Sequence, residues 1–286
     1  MFTEAELAVL RRAYARQVTF LGGVTSAVLE EAFATVRRED YLGPGPWRIL
    51  RWPGGYLKTP DADPAWLYAD HLVAIVPKRG LNNGQPSAHA VWIAAADPQR
   101  GEHVVHVGAG VGYFSAVMAH TVGPSGALTA IEFDGDLAAQ AAANLAHVPG
   151  ARVVHGDGSA TAFAPADVIY VNAGASCPVD LWLDGLKEGG RLILPLTTNA
   201  NFSMQVSGPT GAVFKITRRG DGFEAAFVGP IGVFPCEGAR DEVSERALAA
   251  AFEKGGFETV KRLLRTDDVR DADCWVKAPG WSLVYA

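Results

Sequence analysis

Ten residues constrain the whole chain: Val104-Val105-His106-Val107-Gly108-Ala109-Gly110-Val111-Gly112-Tyr113. A short apolar run of this kind reads as a buried parallel strand, and it breaks into a glycine-rich turn. Glycines at a strand-to-helix turn let the backbone approach a ligand closely. A helix beginning near Tyr113 directs its free N–H groups toward an anion. The expected fold is α/β: a Rossmann-like doubly wound sheet, mostly parallel, with a ligand at the carboxyl ends of its strands.

The spacing narrows the ligand. Gly108, Gly110 and Gly112 give G-x-G-x-G, whereas a dinucleotide-binding turn wants G-x-G-x-x-G and has a glycine where this chain has Tyr113. A nicotinamide cofactor is therefore the weakest reading. Ala127-Leu128-Thr129-Ala130-Ile131-Glu132 reads as a second strand ending in an acid, where a carboxylate can accept both hydroxyls of a ribose. Arg152 to His155 reads as a third strand leading to Gly156-Asp157-Gly158. Asp167 to Ala173 reads as a fourth, with Asn172 at the cleft end, and Arg191 to Pro195 as a fifth. A helix over Leu181 to Leu186 is expected to stop at Gly189-Gly190. Ala212 to Arg218 and Phe223 to Val228, around Arg219-Gly220-Asp221-Gly222, form a hairpin signal.

These stretches resemble protein-L-isoaspartate O-methyltransferases, a family of class I enzymes that use S-adenosylmethionine. The resemblance is carried by Val104 to Tyr113, Val122-Gly123-Pro124-Ser125-Gly126, Ile131-Glu132, Gly156-Asp157-Gly158 and Leu186 to Pro195. It runs from about Gln85 to Asp241, with a weaker echo at Val28 to Tyr41. The resemblance implies that Gly108, Ala109, Gly110, Gly112 and Tyr113 cradle the methionine part of the donor. Glu132 and Phe133 would hold the ribose side, Asp157 and Gly158 the adenine, with Asn172 lining the cleft. Gln85 and His89 would lie at the donor's reactive end.

The chain departs from the family at Asn82-Asn83-Gly84-Gln85-Pro86. The family presents a serine hydroxyl to the substrate carboxylate at the position of Gly84, and glycine offers only a backbone N–H there. Ser87 and Asn83 are the candidate replacements, although Ser87 also reads as a residue that caps or solvates a helix start and turn asparagines usually bond their own backbone. The leading expectation is an O-methyltransferase acting on a carboxylate of a protein or peptide. The alternatives are a true isoaspartyl repair enzyme that tolerates Gly84 and a protein that binds S-adenosylmethionine without turnover.

The net charge of −6 and the pI near 5.6 argue against nucleic acid as partner. Cys177, Cys236 and Cys274 are far apart and odd in number, and they lack C-x-x-C spacing. Neither a disulfide framework nor a zinc site is indicated, and a reducing cytoplasm fits. His103 and His106 read as packing residues rather than metal ligands, and Cys177 as an inert thiol. No stretch approaches the ~18 apolar residues of a membrane span. A monomer or homodimer is expected.

The expected organisation is a helical N-terminal segment with a cover loop over 1–84, a donor-binding domain over 85–236 and a small C-terminal extension over 237–286. In the first part, Thr3 with Glu6 forms a capping box and a second helix starts near Ser26. Arg37-Arg38-Glu39-Asp40-Tyr41 reads as a solvated charge run, Gly43 to Pro64 as an irregular loop, and His71 to Val76 as a short strand. A helix carrying Val91, Trp92 and Ala95 follows Pro86. Another opens at Asp241, and the tail through Tyr285 holds one or two short strands.

Overall fold

Thr3 opens the first helix as its side chain dictates. Its hydroxyl accepts the Glu6 N–H, and the Glu6 carboxylate takes the Thr3 N–H at 2.8 Å, so two orphan donors are satisfied reciprocally. The computed structural model describes residues 1–51, 55–198 and 211–286. Within it α1 (Glu4–Leu21) packs on α2 (Ala27–Thr35), whose Ser26 cap accepts the Leu29 N–H. The chain forms two units, Met1–Gly101 with Ala109–His155 and Glu102–Gly108 with Gly156–Ala286.

Three expectations for the first unit need correction. The run Arg37 to Tyr41 is not a solvated charge run, because Arg38 is fully buried. Its guanidinium donates to the carbonyls of Leu67 at 2.6 Å and Ala69 at 3.2 Å, and it lies over the rings of Tyr14 and Tyr113. Carbonyl oxygens and π-faces together can hold a planar cation that makes no ion pair among the described residues. The stretch Gly43 to Pro64 is not wholly irregular either. β1 (Arg48–Arg51) pairs antiparallel with β2 (Gly55–Lys58), while residues 52–54 of that loop lie outside the described residues. Trp47, Leu67 and Val73 form a small core beneath, joined by Leu42 and Ile49. The strand expected over His71 to Val76 shortens to β3 (Ala74–Val76), which pairs with β4 (Leu81–Asn82). The carbonyls of Leu72 and Val73 are spent instead on the N–H groups of Leu50 and Asn83.

After β4 comes α3 (Pro86–Ala96), and then β5 (His103–Val107), which belongs to the second unit. The first unit resumes with α4 (Tyr113–Val122), β6 (Ala127–Glu132), α5 (Gly135–Leu145) and β7 (Ala151–His155). α4 is buried along nearly its whole length, and β6 and β7 pair in parallel with Glu132 opposite His155.

The second unit continues with β8 (Ala166–Val171), α6 (Asp180–Gly185), β9 (Leu186–Thr197), β10 (Gly211–Arg219) and β11 (Gly222–Ile231). β5, β8 and β9 are mutually parallel, and β10 and β11 are the expected antiparallel hairpin. Gly189-Gly190 does not stop a helix. α6 ends at Gly185, and the two glycines lie inside β9, where Gly189 takes φ +71° and the register against β8 shifts between Ala166 and Val168. Such a bulge needs the left-handed backbone that glycine gives freely. α7 (Glu242–Lys254) follows, and β12 (Arg262–Leu264), β13 (Cys274–Ala278) and β14 (Trp281–Val284) continue the same sheet. From β5 outward its order is β5-β8-β9-β10-β11-β12-β14-β13.

Candidate active site

In the first unit the glycine turn meets the acid at the end of β6. Glu132, only 8% exposed, accepts the Gly110 N–H at 2.6 Å with one oxygen and the Asp134 N–H at 3.0 Å with the other. Burial pushes its carboxyl above the ordinary range, against the pull of those two bonds. Ala109 is buried, with its N–H on the Ile131 carbonyl at 3.2 Å. Gly110 has φ +56°, and a Cβ added there would meet the Ile75 side chain at 3.6 Å. Gly112 has φ +89°, and its Cβ would press on Leu145 at 3.0 Å, so only glycine fits without a shift. Phe133 is half exposed beside Glu132, and Asp134 caps α5 while pairing with Arg79. Tyr113 is fully buried with its hydroxyl 3.3 Å from that of Tyr14, and burial holds the phenol neutral well above its usual range.

The amino terminus of α3 is built differently from the sequence expectation. Gln85 stands at the cap position without a side-chain cap bond, and the cap arrives from Asp70. One carboxylate oxygen of Asp70 accepts the Ser87 N–H at 2.8 Å. The other accepts the Ser87 hydroxyl at 2.7 Å and the Gln85 amide at 2.9 Å. A hydroxyl has one proton to donate, so that of Ser87 points at Asp70. Gly84 has φ +78°, and a Cβ there would lie 2.2 Å from His89 Nε2. The His89 ring is buried, stacked on Phe114 at 3.5 Å and edge-on to Trp92 at 5.1 Å. The imidazole thus fills the space a side chain at 84 would need. Asn82 accepts the Gly84 N–H at 2.9 Å, and the buried Asn83 keeps an amide nitrogen without a partner among the described residues.

In the second unit Gly108 has φ +76°, and its Cβ would meet the Asn172 carbonyl at 3.2 Å. Asn172 donates its N–H to Val107 at 2.8 Å and its side-chain amide to the Gly108 carbonyl at 3.3 Å. Asp157 accepts the Ser159 N–H and hydroxyl at 2.8 and 2.7 Å on one oxygen. Gly158 lies so close to β5 that a Cβ would fall 2.3 Å from Val107, and its carbonyl takes the Trp182 indole N–H at 2.8 Å. Burial pushes the Cys177 thiol up to about 11, which suits an inert thiol rather than a nucleophile. It also pushes His106 down to about 3, so that ring is a neutral packing residue.

Four residues escaped the sequence reading: Arg38, Asp70, Arg79 and Gly238. Gly238, φ +77°, lies against Asp157, and its Cβ would fall 2.2 Å from that carboxylate. Only Asp70 had a signal, and an indirect one: glutamine caps a helix poorly, so the free N–H groups of α3 needed an acceptor from elsewhere.

The first unit's features fit the ribose of a nucleoside donor: Gly110 and Gly112 hold positive φ, and the carboxylate at the end of β6 keeps lone pairs for a diol after taking two N–H groups. In the second unit, taken by itself, Asp157 keeps one oxygen beyond the bonds it makes to Ser159. Fold and residues together define an α/β methyltransferase that uses S-adenosylmethionine. The family model of protein-L-isoaspartate(D-aspartate) O-methyltransferase matches residues 65–219, over half of the chain. The chain is 33% identical to the protein-L-isoaspartate O-methyltransferase of Methylorubrum populi over 219 residues, covering 74% of this chain and 88% of that protein. It is also 33% identical to that of Thermotoga maritima over 118 residues, spanning 40% of this chain but only 37% of that protein. Among solved structures, a protein-L-isoaspartate O-methyltransferase aligns with TM-score 0.66 at 23% identity, covering 83% of this chain and 69% of that one. A Plasmodium falciparum protein described as a putative protein-L-isoaspartate O-methyltransferase, in complex with S-adenosyl-L-homocysteine, aligns with TM-score 0.61 at 17% identity, covering 79% and 98%. The chain belongs to the protein-L-isoaspartate(D-aspartate) O-methyltransferase family.

Proposed function

We propose that the chain transfers a methyl group from S-adenosylmethionine to a carboxylate of a protein or peptide. The observation that carries this reading is Glu132, a buried acid at the end of β6 that already holds the N–H of Gly110 in the glycine turn. When bound, S-adenosylmethionine supplies a methyl group activated by its sulfonium. The chain's residues have to orient donor and acceptor and exclude water. A carboxylate acceptor, with an ordinary pKa of about 4, arrives ionised and needs no general base. The neutral Tyr113 phenol and the unreactive Cys177 thiol accord with that, since neither is poised to remove a proton at neutral pH. The family match favours an enzyme over a binding protein without turnover. Three cysteines outside any disulfide support work in a reducing compartment such as the cytoplasm.

The test is transfer of labelled methyl to a panel of aspartyl, isoaspartyl and C-terminal carboxylate peptides, followed by mild base. Label that leaves as methanol identifies an ester and supports the proposal. Base-stable label would show an amine or carbon acceptor and overturn it. Glu132→Gln should weaken S-adenosylhomocysteine binding by about tenfold, the loss of one charge-assisted hydrogen-bond acceptor.

A further inference from the structure

The protein is acidic overall, yet Tyr41 to Pro60 and His71 to Ala96 contain no aspartate or glutamate. Within these stretches Arg48, Arg51 and Lys58 stand exposed on the β1–β2 hairpin, and Lys78 is exposed on the turn Pro77–Arg79. None of these four side chains makes an ion pair or hydrogen bond with another described residue. Arg48 is directly opposite Lys58 in the strand register, a like-charge pairing that costs stability. Tyr56 lies two residues from Lys58, hence on the same face, and donates its hydroxyl to the Gly80 carbonyl at 3.0 Å. That bond ties the turn bearing Lys78 to the face carrying Arg48 and Lys58.

The hairpin also connects to the start of α3. Ile49 bridges Val73, the Leu50 N–H donates to Leu72 at 2.9 Å, and Val73 in turn accepts the N–H of Asn83, next to Gly84. β2 pairs only with β1 among the described strands, so its outer edge is open, and Leu57 projects from it 61% exposed. An open edge offers a row of backbone groups that another polypeptide strand can complete.

We infer that the β2 edge is the docking surface for the acceptor: an acidic segment of the substrate polypeptide adds along it, with its carboxylates on Arg48, Lys58 and Lys78. This rests on the reading of the protein as a carboxyl methyltransferase of proteins or peptides. A nucleic acid could answer the charges, but it has no amide ladder for the strand edge and no aliphatic contact for Leu57.

The experiment is fluorescence anisotropy on the full chain with three probes: a labelled peptide containing four Asp or Glu residues, its Asn/Gln counterpart, and a single-stranded oligonucleotide of equal charge. The acidic peptide should bind about tenfold tighter than the neutral one, as three modest rim ion pairs give. Arg48→Glu with Lys58→Glu should abolish that preference, and in methyl transfer the pair should raise KM for the acidic peptide while leaving kcat and S-adenosylhomocysteine binding unchanged. Equal affinity for the oligonucleotide, or no effect of the charge reversal, would overturn the inference and leave the cations as guards against edge-to-edge aggregation. Methyl ester formation that ignores the reversal defeats the docking surface alone. Peptide binding lost on reversal, in a protein that makes no ester, defeats the enzymatic reading alone.

Discussion

Replacing Gly84 by serine restores, on paper, the hydroxyl that the family presents to its substrate. The geometry forecasts damage instead. A non-glycine residue held at φ +78° costs ~1–2 kcal/mol. Its Cβ would stand 2.2 Å from His89 Nε2, and the ring cannot swing aside because it is stacked at 3.5 Å on Phe114 and buried against Trp92. Overpacking of that kind costs a further ~1–3 kcal/mol. The sum, about 2–5 kcal/mol, is a large part of the stability of an ordinary domain. Urea unfolding of Gly84→Ser should show a lowered midpoint with an unchanged slope. Adding His89→Ala should return the overpacking share, so the double variant loses less than the two single losses combined. A Gly84→Ser protein within ~0.5 kcal/mol of the parent, or strictly additive losses, would refute the assignment of that space to His89. No gain of isoaspartyl transfer is expected from the serine while the ring is in place.

Three further outcomes follow from the same structure. Arg38→Met should destabilise by ~2–4 kcal/mol in thermal or urea unfolding, because the carbonyls of Leu67 and Ala69 lose their buried donor. Gly238→Ala, forced against Asp157 at φ +77°, should weaken S-adenosylhomocysteine binding in calorimetry more than it lowers the melting temperature, if Asp157 reads the adenine as the family resemblance implies. Burial holds His71 neutral down to about 4, against an ordinary value near 6.5. The unfolded chain therefore binds a proton that the folded chain refuses. Stability is full above pH 6.5 and falls toward pH 4 by up to ~3 kcal/mol, a loss that His71→Asn should reduce in pH-dependent unfolding.

Much of the fold was legible because it is written in local periodicity. The run into Gly108-Ala109-Gly110, the strand ending at Glu132 and the hairpin around Gly220 each announce themselves within a dozen residues. What was missed is non-local. Arg38 looked like one charge among several because its carbonyl partners lie about 30 residues further on. The β1–β2 hairpin was hidden by glycine, proline and tryptophan, which mark loops by composition even where Trp47 anchors a small core. Gly189 and Gly190 read as a stop, although in a strand the same residue type produces a bulge. At the candidate site, the departure at Gly84 was visible in sequence, whereas the ring that fills its place was not.

The carboxylate of Asp70 has a consequence for how the chain acquires its structure. α3 cannot finish its own first turn, because its acceptor for the Ser87 N–H is delivered from 17 residues upstream by a loop that Arg38 must already hold. A peptide spanning α3 alone should fray at Pro86 and Ser87, and during refolding the Ser87 amide should gain protection from hydrogen exchange only when the loop over residues 67–71 has closed. Such a delay would make the helix start a late marker of tertiary assembly, formed after the elements whose signals are local.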